Sequence, residues 1–100
     1  MTRANLTVNG EFFHINSDGG DSEDIKGILE DYVNTAKKKV KNPIDIAEWV
    51  MNTLFRDADD YYNTIQLGET GYASYEYEAE IDAKGTLTFK TLKGVEADDE

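Results

Sequence analysis

In the stretch "YEYEAEID", residues 75–82, Glu76, Glu78, Glu80 and Asp82 alternate with Tyr75, Tyr77, Ala79 and Ile81. On an extended strand alternate side chains share one face and stand roughly 6.5–7 Å apart, a spacing comparable to that of neighbouring phosphates along a nucleic-acid strand. Carboxylates in such a row recognise Lys and Arg through charge-assisted hydrogen bonds, and tyrosines beside them supply rigid apolar contact. The surroundings are equally one-sided. Residues 57–82 hold eight acids, adding Asp57, Asp59, Asp60 and Glu69 to the four in the row, and no Lys or Arg. Five of the six tyrosines, Tyr72 among them, fall in the same segment. The plain alternative is that the wet face of an antiparallel sheet carries charge for solubility and to deter edge-to-edge aggregation. Both readings are open from the sequence alone.

Other chemistry-bearing residues carry less. His14 is the only histidine and there is no cysteine, so neither a common zinc set nor a nucleophile with its base can be assembled; its expected place is a strand surface or edge. The acidic runs "NSDGGDSED" and "DADD" lack the register of a calcium-binding loop and are read as turn and cap chemistry. Gly19-Gly20 lacks the Lys and Ser/Thr of a phosphate-binding loop. Lys37, Lys38, Lys39 and Lys41 sit where a helix ends and are explained first by the negative end of its dipole. Trp49, at the edge of an apolar stripe, is a secondary candidate for a partner anchor. No catalytic residue, cofactor or metal is expected.

The elements that position the acidic row follow from local signals. "ANLTVNGEFFHIN" reads as a hairpin about Asn9-Gly10, pairing Val8 with Glu11, Leu6 with Phe13 and Ala4 with Ile15 on the buried face. Asp21 caps a helix whose apolar stripe is Ile25, Ile28, Leu29, Tyr32, Val33 and Ala36. Pro43 stops it, and Asn42-Pro43 serves as cap and first residue of a second helix with Ile46, Ala47, Val50 and Leu54 inside. "YYNTIQL" offers a third strand with Tyr61, Ile65 and Leu67 at one parity. The acidic strand follows, and "DAKG" turns it back so that Ile81 faces Leu87, Ala79 faces Phe89 and Glu78 faces Lys90.

The predicted architecture is therefore α+β, a mainly antiparallel sheet of four or five strands in the order β-β-α-α-β-β-β, with two helices on one face and the acidic row on the other. The 100 residues are read as one domain over residues 1–94 with a disordered acidic tail at 95–100. The net charge is −11, from 21 acids against 10 bases, with a mean hydropathy of −0.62. Without the four acids of the tail the balance is still −7. That field opposes direct binding to nucleic acid or to an anionic membrane and favours a basic protein partner. No apolar run has the length of a membrane span or a signal peptide, so the mature chain is expected to start at Met1 and to act in the cytoplasm, the host cytoplasm if phage-encoded.

Small size, strong acidity, an acidic strand face and the absence of cysteine together resemble phage-encoded inhibitors that occupy nucleic-acid sites on host defence proteins, anti-CRISPR and anti-restriction proteins among them. Those proteins share no fold or motif, so the resemblance carries over no residue. It implies a DNA-mimicking, non-catalytic inhibitor that binds the basic groove of a nucleic-acid-processing protein. Its contacts would be Glu76, Glu78, Glu80 and Asp82, with Asp57, Asp59, Asp60, Tyr72 and Trp49. The alternative is an immunity protein or small adaptor that meets a basic protein through its helical face. Pairing of an edge strand with a second copy, giving a homodimer, is compatible with either.

Overall fold

Asn9 and Gly10 both adopt positive φ, 50° and 82°, the geometry that lets a two-residue turn match the twist of its flanking strands. They join β1 (Ala4–Val8) to β2 (Glu11–Ile15) in the expected register, Leu6 opposite Phe13 and Ala4 opposite Ile15. Glu11, at the strand end, is exposed, so the buried face of β2 is Phe13 and Ile15. The computed structural model describes residues 2–16 and 19–94; the expected acidic tail at 95–100 lies outside the described residues.

Helix α1 (Ser22–Lys39) begins at Asp21, whose side chain accepts the Asp24 N–H at 3.1 Å, with Glu23 and Asp24 in its first turn and Lys37, Lys38 and Lys39 in its last. These charges oppose the dipole ends they stand on. The second helix starts later than expected. Asn42 caps a short 3₁₀ turn, Pro43–Asp45, through its side chain to the Ile44 N–H, and α2 then runs Ile46–Ala58. The order along the chain thus differs from the predicted one by this 3₁₀ turn: β-β-α-3₁₀-α-β-β-β. Both helices lay their apolar stripes, Ile25, Leu29 and Val33 on α1 and Val50 and Leu54 on α2, into the core shared with the sheet.

Strands β3 (Ile65–Leu67), β4 (Tyr75–Ile81) and β5 (Leu87–Lys93) complete a five-stranded sheet in the order β3-β2-β1-β4-β5. The sheet has the expected number of strands but is mixed, where a mainly antiparallel one was expected. β4 lies beside β1 and runs parallel to it, while the other three pairings are antiparallel. Asn9 helps select this neighbour. Its side-chain oxygen accepts the Ile81 N–H at 2.8 Å, its side-chain amide donates to the Ile81 carbonyl at 3.3 Å, and its backbone N–H reaches the Ala79 carbonyl at 3.0 Å. The hairpin turn is therefore tied to the far end of β4.

The Gly19-Gly20 pair belongs to the same junction. A Cβ on Gly19 would stand 2.7 Å from the Ala4 nitrogen, so only glycine fits against β1. The Gly19 carbonyl accepts the Tyr77 hydroxyl at 2.6 Å, holding a large polar side chain in the core. β3 is shorter than expected because Asp60 and Asn63 form turns ahead of it. The Tyr62 N–H binds the Asp60 side chain, the Asn63 side chain binds the Ile65 carbonyl, and Tyr61 and Tyr62 are left in the loop.

Because β3 and β4 run the same way, the chain between them must return along the sheet. Residues 68–74 do so over the face away from the helices. The Asn5 side chain, on that face, both donates to the Thr70 carbonyl and accepts the Thr70 N–H, each at 2.8 Å. The face expected to be open is thus partly roofed.

Candidate functional site

Tyr77, Ala79 and Ile81 of β4 point into the core, so the alternation of the strand turns Glu76, Glu78 and Glu80 to the opposite face. Their neighbours are Asn5 and Thr7 on β1 and Lys93, Lys90 and Thr88 on β5. Glu78 forms an ion pair with Lys90 at 3.2 Å, as the expected register requires, with both side chains substantially exposed. Such a pair contributes about 0.2–1 kcal/mol at most. Glu80 stands opposite Thr88 and is exposed.

Asp82 leaves the row. One of its carboxylate oxygens accepts the Lys84 and Thr86 N–H groups at 2.8 and 2.9 Å, which closes the β4–β5 turn with Gly85 at a φ of 83°. The backbone N–H of Thr86, then that of Lys84, holds this carboxyl below the usual aspartate range. Its charge is committed to the turn.

The returning segment adds residues that the sequence pattern did not single out. His14 donates from Nδ1 to the Gly68 carbonyl at 2.9 Å, so the lone histidine anchors this crossover. Glu69, Glu76, Thr7, Phe12 and Leu92 then surround a concavity of about 220 Å³. Phe12 and Leu92 are each 55% exposed. An apolar floor edged by carboxylates therefore continues into Glu78 and Glu80 along β4. Two signals were available: Phe12 occupies the outward parity of β2, and Leu92 the outward side of β5 next to a bulge opposite Glu76 and Tyr77. Glu69 carries no local signal, because only the path of the crossover places it there. Tyr72, also in the crossover, is 81% exposed.

The remaining candidates lie elsewhere. Asp57 and Trp49 line a groove of about 590 Å³ between α1 and α2, together with Ile28, Asp31 and Tyr32, on the helical side of the molecule. There the Tyr32 hydroxyl donates to Asp57 at 2.7 Å and Arg56 approaches the other carboxylate oxygen at 3.2 Å. Burial first, then the hydrogen bond to Asp57 and its negative charge, push the Tyr32 hydroxyl well above the ordinary tyrosine range. Asp59 and Asp60 stand at the end of α2. The loop after them is fastened by the Gln66 side chain, whose amide donates to the carbonyls of Tyr61 and Asn63. Tyr61 and Tyr62 meet edge to face at 5.3 Å and are almost wholly exposed.

The nine predicted contact residues thus divide between the sheet face, the helical groove, the α2 terminus, the crossover and the β4–β5 turn. Only Glu76, Glu78 and Glu80 form a continuous set. Among the described residues no group of three His, Asp or Glu side chains is placed to hold a metal ion, and no helix is long and apolar enough to cross a membrane. Compared with family models, curated proteins and solved structures, the chain matches none of them.

Proposed function

We propose that this protein is a small acidic, non-catalytic inhibitor that occupies the basic nucleic-acid groove of another protein, with the outward face of β4 as its contact surface. The observation that carries the reading is the row Glu76, Glu78 and Glu80 on the face opposite the helices, extended by Glu69 and set beside the exposed apolar pair Phe12 and Leu92. Carboxylates at strand spacing stand in for phosphates, and the apolar pair supplies desolvated contact that a polyanion alone lacks. The chain's net charge of −11 accelerates encounter with a basic groove and disfavours nucleic acid itself as the ligand. A host-defence nuclease or restriction complex is the kind of target this chemistry suits, which places the activity in the cytoplasm where such targets work.

The test is capture of bound proteins from bacterial lysate by the native chain and by a Glu76→Gln, Glu78→Gln, Glu80→Gln variant, followed by competition of the captured protein with DNA or RNA. The expected outcome is a nucleic-acid-binding partner that the triple variant fails to hold, with affinity falling steeply as salt rises. A partner held equally by both forms, or one that binds nucleic acid and this chain at the same time, overturns the reading.

The groove between α1 and α2 favours a second reading, an immunity-type or adaptor protein that meets its basic partner through the helical face. Trp49 and Tyr32 form its apolar wall, with Asp31 and Asp57 beside them and Lys39 and Arg56 also in the lining. Here Trp49→Ala abolishes binding and the triple glutamine variant does not.

A further inference from the structure

The sheet has two dissimilar edges. At one, β3 is three residues long and the loop fastened by Gln66 packs beside it. At the other, β5 runs for seven residues without proline, and no described residue pairs with its outer side. The Asp82 N–H donates to the Thr86 carbonyl at 3.0 Å. The alternation of an antiparallel ladder then turns the backbone groups of Leu87, Phe89 and Thr91 outward. The side chains at this edge are unfinished too. Leu87 and Phe89 face the core but are only partly buried, and a largely polar cavity of about 460 Å³, lined by Glu30, Asn34 and Lys37 as well as Val33 and Leu87, runs alongside. A long strand with unpaired backbone and incompletely covered apolar side chains is a template for another strand.

We infer that β5 pairs antiparallel with β5 of a second copy, about a two-fold axis at Phe89. What distinguishes this register is that it sets Lys90 of each chain beside Thr88, and so beside Glu80, of the other. The segment 83–94 contains no acid, so the paired strands themselves bring no carboxylates face to face. Centring the axis on Lys90 would set two ammonium groups against each other, which is destabilising. A shift by one residue would oppose Leu87 and Phe89 to the polar face. Centred on Phe89, the outward backbone groups of Leu87, Phe89 and Thr91 meet those of Thr91, Phe89 and Leu87 of the copy, and Thr88 faces Lys90 of the copy. Glu80 is already opposite Thr88 and Glu78 opposite Lys90. Each dimer row therefore reads Glu80, Thr88, then Lys90 and Glu78 of the second copy. The small threonine lets that lysine lie between two carboxylates. Glu80 thereby gains a counter-ion across the seam.

The two chains, each of net charge −11, repel at long range, but physiological salt screens that repulsion beyond about 8 Å. The short-range seam decides. The pairing does not rest on the proposed function. Its consequence for the surface is that two acidic rows would run antiparallel, separated by three strand spacings, roughly 14 Å.

Thr88→Lys tests this without threatening the fold. Within one chain the new ammonium faces Glu80 and is attractive; across the seam it faces Lys90 of the copy twice over and is repulsive. Sedimentation equilibrium at physiological salt should show the native chain dimerising with concentration and the variant associating at least tenfold more weakly, with unchanged circular dichroism. Amide exchange should slow at Phe89 with rising concentration in the native chain only. A native chain that stays monomeric up to about 1 mM, the weak end of specific association, overturns the inference. So does a Thr88→Lys chain that dimerises as tightly as the native, or a dimer in which Phe89 exchanges freely.

Discussion

The two faces of β4 are built from the same seven residues and do opposite work. Tyr77, Ala79 and Ile81 are almost wholly buried beneath the helices, with Tyr77 stacked on Phe89 at 5.4 Å and hydrogen-bonded to Gly19. Glu76, Glu78 and Glu80 face away, and the ion pair of Glu78 with Lys90 is partly exposed. One face is fixed by packing, where each atom has neighbours to lose. The other is held in place by the first and contributes little to holding the molecule together. A row of like charges is tolerated on a strand because the strand's opposite side anchors it.

The sharpest way to break this contrast is at Tyr77. Truncation by Tyr77→Ala removes a ring from the centre of the sheet and is expected to cost about 3–5 kcal/mol, read from urea unfolding. Tyr77→Phe separates the hydroxyl from the ring. It keeps the stack on Phe89 but leaves the buried Gly19 carbonyl without this donor, for an expected loss of about 1–3 kcal/mol. A Tyr77→Phe chain as stable as the native would mean that the fit of Gly19 against β1 and the bond from its N–H to the Thr2 carbonyl suffice to hold it.

The outward face should answer in the reverse sense. The Glu76→Gln, Glu78→Gln, Glu80→Gln chain is expected to unfold within about 1 kcal/mol of the native, because the exposed ion pair with Lys90 contributes little and the relief of like-charge repulsion offsets its loss. Its affinity for a basic partner is the quantity that should collapse. A large stability loss would show that the row is part of the scaffold and would turn the contrast between the faces into a difference of degree.

The sequence made this contrast legible because parity is local. Asn9-Gly10 dictated the β1–β2 register, Asp21 and the spacing from Ile25 to Ala36 dictated α1, and the turn at Asp82–Gly85 set Glu78 against Lys90. What stayed hidden was long-range. Nothing in residues 75–81 states that β1 is the parallel neighbour. That choice depends on Asn9 reaching Ile81 and on Gly19 fitting against Ala4, contacts that span up to 72 residues. The same gap concealed the crossover, and with it the place of Glu69 and the role of His14. Acid content alone was the weaker guide. Asp57 and Asp82 belong to the same acidic segment as the row, yet one is bound to Tyr32 on the helical side and the other to the backbone of a turn.

Asp82 provides the smallest and most specific test of that distinction. Its native carboxyl is held below the usual value by the N–H groups of Thr86 and Lys84, whereas in the unfolded chain it titrates near the ordinary value of about 3.9. The lower native value means that its contribution to stability is complete above the unfolded value and is lost as the pH falls through the native one. A carboxylate in the open row has no such backbone donors among its hydrogen bonds. Asp82→Asn, whose side-chain oxygen still accepts both N–H groups, should therefore flatten the acid end of the stability profile below about pH 4, and should do so more than Glu80→Gln, which removes no carboxylate bonded to a turn backbone. If both substitutions alter the acid limb alike, Asp82 behaves as one more member of the row; if only Asp82→Asn does, the chain has spent that charge on folding and left Glu76, Glu78 and Glu80 for a partner.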